Sequence, residues 1–382
     1  MAFEDEARRL VEGAQDTVTT PDAQEMAERQ QAASAYAGET PEHFVQYGEA
    51  CLKESADANR EVRRVWAECW EAYNLKRPGP ERADWQSRIL LADPLFIGQQ
   101  AKAIVRQALV EREQYFEITD PVGQEGDALA TFYTEELKIQ LNPQHGNLPV
   151  VFADACEMAC AIGQSPELTP VWGKTPGGSD GLTYDVGMPW NTFRDPDARP
   201  RDPWSGMYHI HREFVDYWML KSLEQSGDNP QGIYVNIDEA KAGGTGGSEA
   251  EKEARRKDQQ IIRHPYRTSL QVQEFRGVVL DQQGEVLLPS AVYSWSGEVL
   301  IREPFTSPYP TLKWPSVSFS PIPHLERFEG RGLLEGILPM WRTTMALLDL
   351  TLDDLNWVVN RTFEVEPGLL MDGGQDSEFY PG

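Results

Sequence analysis

Cysteine and positive charge are both scarce in this chain, and each shortage removes a class of function. Four Cys in 382 residues cannot build a disulfide framework, so a reducing compartment is expected. Cys156 and Cys160 stand four apart in a helical-looking segment, where burial as small hydrophobes outweighs a metal or redox pair. Lys and Arg number 35 against 61 Asp and Glu, a formal charge of −26. A surface that acidic repels nucleic acid and does not wrap it by general phosphate attraction. No uncharged run reaches membrane-spanning length. The start, Met1-Ala2-Phe3-Glu4-Asp5-Glu6, lacks the basic residues and apolar stretch of a secretory leader, so an intracellular or intravirion protein is expected. No internal repeat is present.

What the chain does have is apolar bulk. Forty per cent of residues are hydrophobic and eleven are Trp, enough for two or three cores or one large α+β unit. Residues 1 to about 56 are rich in Ala, Glu and Gln and predict weakly packing helices, an arm suited to docking on a neighbour. Val62, Val65, Trp66, Cys69, Trp70 and Tyr73 fall at helical spacing before the stop Pro78-Gly79-Pro80. Further helices are expected over 97–116, 128–141 and 150–162, after a short extended segment that begins at Asp84-Trp85. Residues 163–206 carry many Gly, Pro, Asp and Trp, so an ordered loop or short strands are expected there. Alternation from Ser269 to Ile301, with turn signals at Asp281-Gln282-Gln283-Gly284 and Ser294-Trp295-Ser296-Gly297, predicts a three-stranded antiparallel meander packed with the helices of 60–162.

Sites for chemistry are poorly supplied, and no catalytic residue, cofactor or metal is expected. The run Gly243-Gly244-Thr245-Gly246-Gly247-Ser248 is followed by Glu249, whereas a phosphate loop needs a lysine to reach the phosphates. It predicts a flexible loop. His209 and His211 sit two apart on an expected strand and share a face, so with Glu213 or Asp216 they could serve a metal-dependent hydrolase. A polar strand face is the plainer reading. Trp172, Trp190 and Trp204 could stack on sugars in a glycan-binding tail component, although a packed loop core explains them more simply. Arg255, Arg256, Lys257, Arg263 and Arg267 form one basic island, suited to balancing acid nearby or on a neighbour.

The most informative stretch lies between Arg302 and Arg361. Gln273-Glu274-Phe275-Arg276-Gly277 with Gly284, Val299-Leu300-Ile301-Arg302 with Pro308-Tyr309, and Pro321-Ile322-Pro323 before Phe328-Glu329-Gly330-Arg331-Gly332-Leu333-Leu334-Glu335 follow in order. This block resembles the portal, or head-to-tail connector, proteins of short-tailed double-stranded-DNA bacteriophages. Ser307 stands where Asn is common in that family. The resemblance spans residues 60–365 and is specific over 270–360. It implies a homo-oligomeric ring, usually of twelve subunits, at one capsid vertex of the virion, assembled in the host cytoplasm. Its partners would be the major capsid protein, the terminase large subunit and tail adaptor proteins. Double-stranded DNA would pass through without sequence-specific binding. The domains implied are an acidic helical N-terminal arm over 1–59, an α+β wing over 60–329, a stem helix over 330–363, and the start of a clip or a truncated tail over 364–382. Family members continue into a clip, a second stem helix and a crown, so a truncated gene, a fragment or one piece of a split protein is expected.

The stem candidate also has a pattern of its own. From Pro339, a first-turn proline, to Arg361 the chain could make about 23 residues of helix, roughly 34 Å. At 3.6 residues per turn, Arg342, Asp349, Asp353, Asn356 and Asn360 share a stripe about 60° wide. Much of the remaining circumference is apolar, Leu348, Leu355 and Trp357 included. A ring of tilted helices accommodates both. The expectation is that the polar stripe lines a channel and that Leu348, Leu355 and Trp357 meet neighbouring subunits.

Overall fold

A computed structural model of the chain describes residues 40–79, 86–110, 118, 127–141, 146–174, 180–200, 202–225, 232–242, 268–307 and 314–359. Within them helices and antiparallel sheets are mixed, so the fold is α+β. The Gly-rich loop at 243–248, the basic island, Asp84-Trp85, Pro308-Tyr309, Asn360 and residues 364–382 all lie outside the described residues.

Five strands make the main sheet in the order β3 (Thr192–Arg194), β4 (Tyr208–Asp216), β5 (Ser269–Leu280), β6 (Val286–Ser296) and β7 (Val299–Thr306), every neighbouring pair antiparallel. The meander expected from alternation is present. Its first turn is held by the Asp281 carboxylate, which accepts from the backbone N–H of Gln283 at 2.9 Å and of Glu285 at 2.8 Å. Gly284 supplies the positive φ of +84° that closes that turn. A separate hairpin, β1 (Glu167–Lys174) with β2 (Asp180–Gly187), fills part of the Trp-rich middle region.

The inner face of the sheet buries Ile210, Phe275, Tyr293 and Trp295 against α1 (Pro41–Ala58), which contributes Phe44, Val45 and Cys51. Tyr293 donates to the Phe44 carbonyl at 2.9 Å, and the Trp295 indole donates to Glu49 at 2.7 Å. Two expectations are corrected by this packing. Residues 41–58 are no docking arm but a helix of the sheet's own core, so the boundary at 59 cuts through one packed unit. The helix laid on the meander is α1, which precedes residue 60.

The helices after residue 60 build a second core. In α2 (Arg60–Tyr73) the buried positions Val62, Trp66 and Cys69 recur at i, i+4 and i+7, the period of one helix face. They meet Met158, Ala161 and Ile162 of α5 (Leu148–Ile162), with Trp190 and the long helix α8 (Leu333–Val359). The helix α3 (Asp93–Val110) packs on α5, with Ile97 against the same core, and α4 (Asp127–Leu141) lies near β2. Two short helices, α6 (Tyr217–Ser222) and α7 (Ile237–Ala242), cover a third cluster with Leu270, Val272 and Ile301. None of the described helices is long and apolar enough to cross a membrane.

Candidate functional site

The candidate site is α8 and the turn that launches it. Gly330-Arg331-Gly332 crosses the end of α5 with backbone against backbone. A Cβ on Gly332 would lie 2.5 Å from the Ala161 carbonyl oxygen, and one on Gly163 would lie 2.5 Å from the peptide carbon of Arg331. Gly163 also ends α5 at φ +100°, a conformation costly for any residue with a side chain. Gly332 and Gly163 thus sit where two backbone segments approach too closely for a methyl group, and Gly330 sits where a Cβ would strike Ser320 and the Ile322 carbonyl. From this crossing α8 runs 27 residues, roughly 40 Å. It begins at Leu333 and carries Pro339 inside its first turns, close to the start expected for a stem helix over 330–363 and six residues before a start with Pro339 in the first turn.

The first half of α8 follows ordinary amphipathic logic. Leu334, Leu338, Trp341 and Met345 are buried against α2 and α5, and the Trp341 indole donates to the Leu91 carbonyl at 3.0 Å. The second half inverts that logic. Asp349 is fully buried and Asp353 nearly so, their carboxylates turned toward Arg77, Ser87 and Ile89 of the same chain. Asp349 accepts from the Ile89 backbone N–H at 2.9 Å and pairs with the Arg77 guanidinium. Asp353 accepts from the Ser87 backbone N–H at 2.7 Å. The backbone N–H groups of Ser87 and Ile89 need acceptors, and two acids one helical turn apart supply them.

These contacts overturn the expectation that Asp349 and Asp353 line a channel, because both carboxylates are turned into their own subunit. Arg342 is half-exposed and pairs with Glu68 of α2 at 2.9 Å. Asn356 is exposed, and Asn360 lies outside the described residues. Leu348, Leu355 and Trp357, the interface candidates, are exposed, as are Met340, Leu347, Leu350, Leu352, Val358 and Val359. Exposure reaches 60 % at Leu347 and 77 % at Val359. The second half of the longest helix thus shows acid to the protein and large apolar side chains to solvent.

His209 and His211 lie on one face of β4 as expected, but among salt bridges. His209 Nε2 is 2.9 Å from Glu167 Oε2, and Arg194 reaches the same oxygen at 3.4 Å. Arg276 binds Glu274 at 2.7 Å, and Arg302 reaches Glu274 at 3.5 Å. Burial opposes ionisation of Glu167, yet His209, Arg194 and Arg276 hold its carboxyl well below the usual range. Burial pushes the His209 imidazole below its ordinary value, against the pull of Glu167. Gly187 lies against His211, since a Cβ there would fall 2.7 Å from the ring. Asp216 caps α6, accepting from the Trp218 N–H at 3.2 Å. Among the described residues no three His, Cys, Asp or Glu side chains are grouped to hold a metal ion.

The three Trp of the middle region are separated. Trp190 is buried beside Trp70 with ring centroids 5.5 Å apart, Trp204 packs on His209 at 4.9 Å, and Trp172 is 70 % exposed on β1. A sugar platform needs open ring faces side by side, which buried Trp190 does not offer. All four cysteines are free. Burial raises the Cys51 and Cys69 thiols to about 12 and Cys156 to about 11, which suppresses thiolate chemistry.

No protein-family model matches the chain, and no curated protein matches it either.

Proposed function

We propose that the chain is a structural subunit of a portal-type ring, joined to its neighbours through the outward apolar face of α8. The observation that carries this reading is the inversion of that helix. Leu347, Leu348, Leu350, Leu352 and Leu355 are exposed over about two turns, while Asp349 and Asp353 are spent inside and Asp354 alone of the three Asp stays exposed. A stretch of large apolar side chains so continuous is characteristic of a surface that meets another protein. Three Asp in the same helix argue against a lipid-facing role.

The resemblance of residues 270–360 to short-tailed phage portals supplies the kind of assembly. A wing of helices and an antiparallel meander leads through a Gly-x-Gly turn into a long helix. On this reading the subunit has no catalytic centre, and terminase, tail adaptors and capsid protein dock on the ring it builds. The lumen is not lined by Asp349 or Asp353, whose positions tie the helix to the wing. Arg342 and Asn356 are the candidates that keep access to solvent. Electron microscopy of the purified protein tests the reading. Uniform rings with a central hole support it, and monodisperse single subunits at micromolar concentration overturn it.

A further inference from the structure

The β1–β2 hairpin holds to the rest of the molecule through polar contacts. None of the three hydrophobic clusters among the described residues includes one of its side chains, and Val171, Trp172 and Val186 are exposed. Leu168 and Val317 exchange backbone hydrogen bonds at 2.8 and 2.9 Å. The Leu182 N–H donates to Gln140 of α4 at 3.4 Å. Glu167, at the start of β1, is buried inside a charge cluster on the main sheet.

Three strands meet that one carboxylate. His209 of β4 lies 2.9 Å from it, Arg194 of β3 3.4 Å and Arg276 of β5 3.9 Å. Arg194 also donates to Ser318 at 2.8 Å, and Arg276 shares Glu274 with Arg302 of β7. Glu167 and Glu274 thus already face three guanidinium groups, and an imidazolium would add a fourth cation. It would also carry two N–H donors. Nδ1 of His209 has no hydrogen-bond partner, so protonation would strand a donor in the interior. The docked hairpin therefore requires neutral His209 and ionised Glu167, in keeping with the lowered values of both groups. The other titratable groups here are His211, which lies against Gly187, and Glu213 with Asp185 of β2. Those two carboxylates repel, but both are exposed and water screens them.

We propose that the hairpin is an acid-released flap, docked on the main sheet at neutral pH through Glu167 and let go on mild acidification, with His209 as the trigger. Once detached, both side chains meet water and titrate as ordinary groups. His209 then takes up a proton as pH falls through about 6.5, a proton the docked state resists. Glu167 follows at lower pH, near 4.5. In both cases the open state binds more protons than the closed one. Closure is therefore complete above about pH 6.5 and is lost as pH falls toward the lowered closed-state values. The inference is independent of the ring proposed above.

Hydrogen–deuterium exchange of the full chain at pH 7.5 and 5.5, corrected for intrinsic exchange rates, tests it. The amides of Leu168 and Val317 report docking, and those of β5 report the main sheet. Protection at Leu168 and Val317 should fall by about tenfold between the two conditions, while β5 stays protected. Glu167→Gln should release the hairpin already at pH 7.5. His209→Gln should keep it docked at both pH values, whereas a merely structural histidine would loosen it at both. His211→Gln should leave the acid response intact. Circular dichroism checks the fold of each variant, and if Glu167→Gln does not fold, His209→Gln decides. Four results would overturn the inference: equal protection at both pH values, loss in β5 alongside the hairpin, a hairpin still docked in folded Glu167→Gln, or any response of His209→Gln other than docking at both pH values.

Discussion

The two halves of α8 are built on opposite rules, although they belong to one uninterrupted helix. Over residues 333–345 the apolar side chains Leu334, Leu338, Trp341 and Met345 face inward and join α2 and α5. Over 346–359 the inward positions are Asp349 and Asp353, and the leucines face out. The difference comes from what each half packs on. The first half meets apolar helix faces, which reward hydrophobic burial. The second meets the backbone N–H groups of Ser87 and Ile89, which need acceptors, plus the Arg77 cation. A helix takes its polarity from its neighbour, and the surface left over is then available to a second protein.

Substitutions in the two halves should separate stability from association. Asp349→Ala removes one partner of a buried pair and strands Arg77 and the Ile89 N–H, so a loss of about 3–5 kcal/mol is expected in denaturant unfolding. Trp341→Ala should cost a comparable amount, about 3–5 kcal/mol, by opening a cavity in the second core. If Asp349→Ala were neutral, the inward acid would have no structural role and the comparison would fail. Gly332→Ala forces a methyl group onto the Ala161 carbonyl and should cost about 2 kcal/mol, read in the same unfolding assay. Asp353→Ala leaves the Ser87 N–H without its acceptor, for about 1–2 kcal/mol. Leu352→Asp on the outer face should change monomer stability by no more than about 0.5 kcal/mol while altering association. A large loss there would mean that the outer leucines are packed within the subunit.

Much of the frame was legible from the sequence. The meander over 269–301 was fixed by alternation and by turn chemistry at Asp281 and Gly284, both local. Helices over 128–141 and 150–162 match α4 and α5 to within two residues, because apolar period and stop signals agree there. Local pattern did not reveal that α1 is a core helix. Its buried residues Phe44, Val45 and Cys51 are sparse among Ala, Glu and Gln, and the strand residues of the same core, from Phe193 to Leu300, lie about 140 residues or more away. The same gap misdirected the reading of α8. The stripe holding Arg342, Asp349, Asp353 and Asn356 was correctly placed on one face, but polarity alone does not say which face meets the protein. Only the contacts with Arg77, Ser87 and Ile89 decide it, and nothing in the spacing of those three announces two acceptors on a helix some 260 residues later.

The central claim is that the outward face of α8 joins one subunit to the next. Sedimentation velocity of the full chain beside Leu355→Asp, at equal micromolar concentrations, tests it most directly. The account predicts a single large oligomeric species for the unsubstituted chain. It predicts folded monomers, with unchanged circular dichroism, for Leu355→Asp. An unsubstituted chain that sediments as a monomer, or an oligomer that survives the substitution, would contradict it.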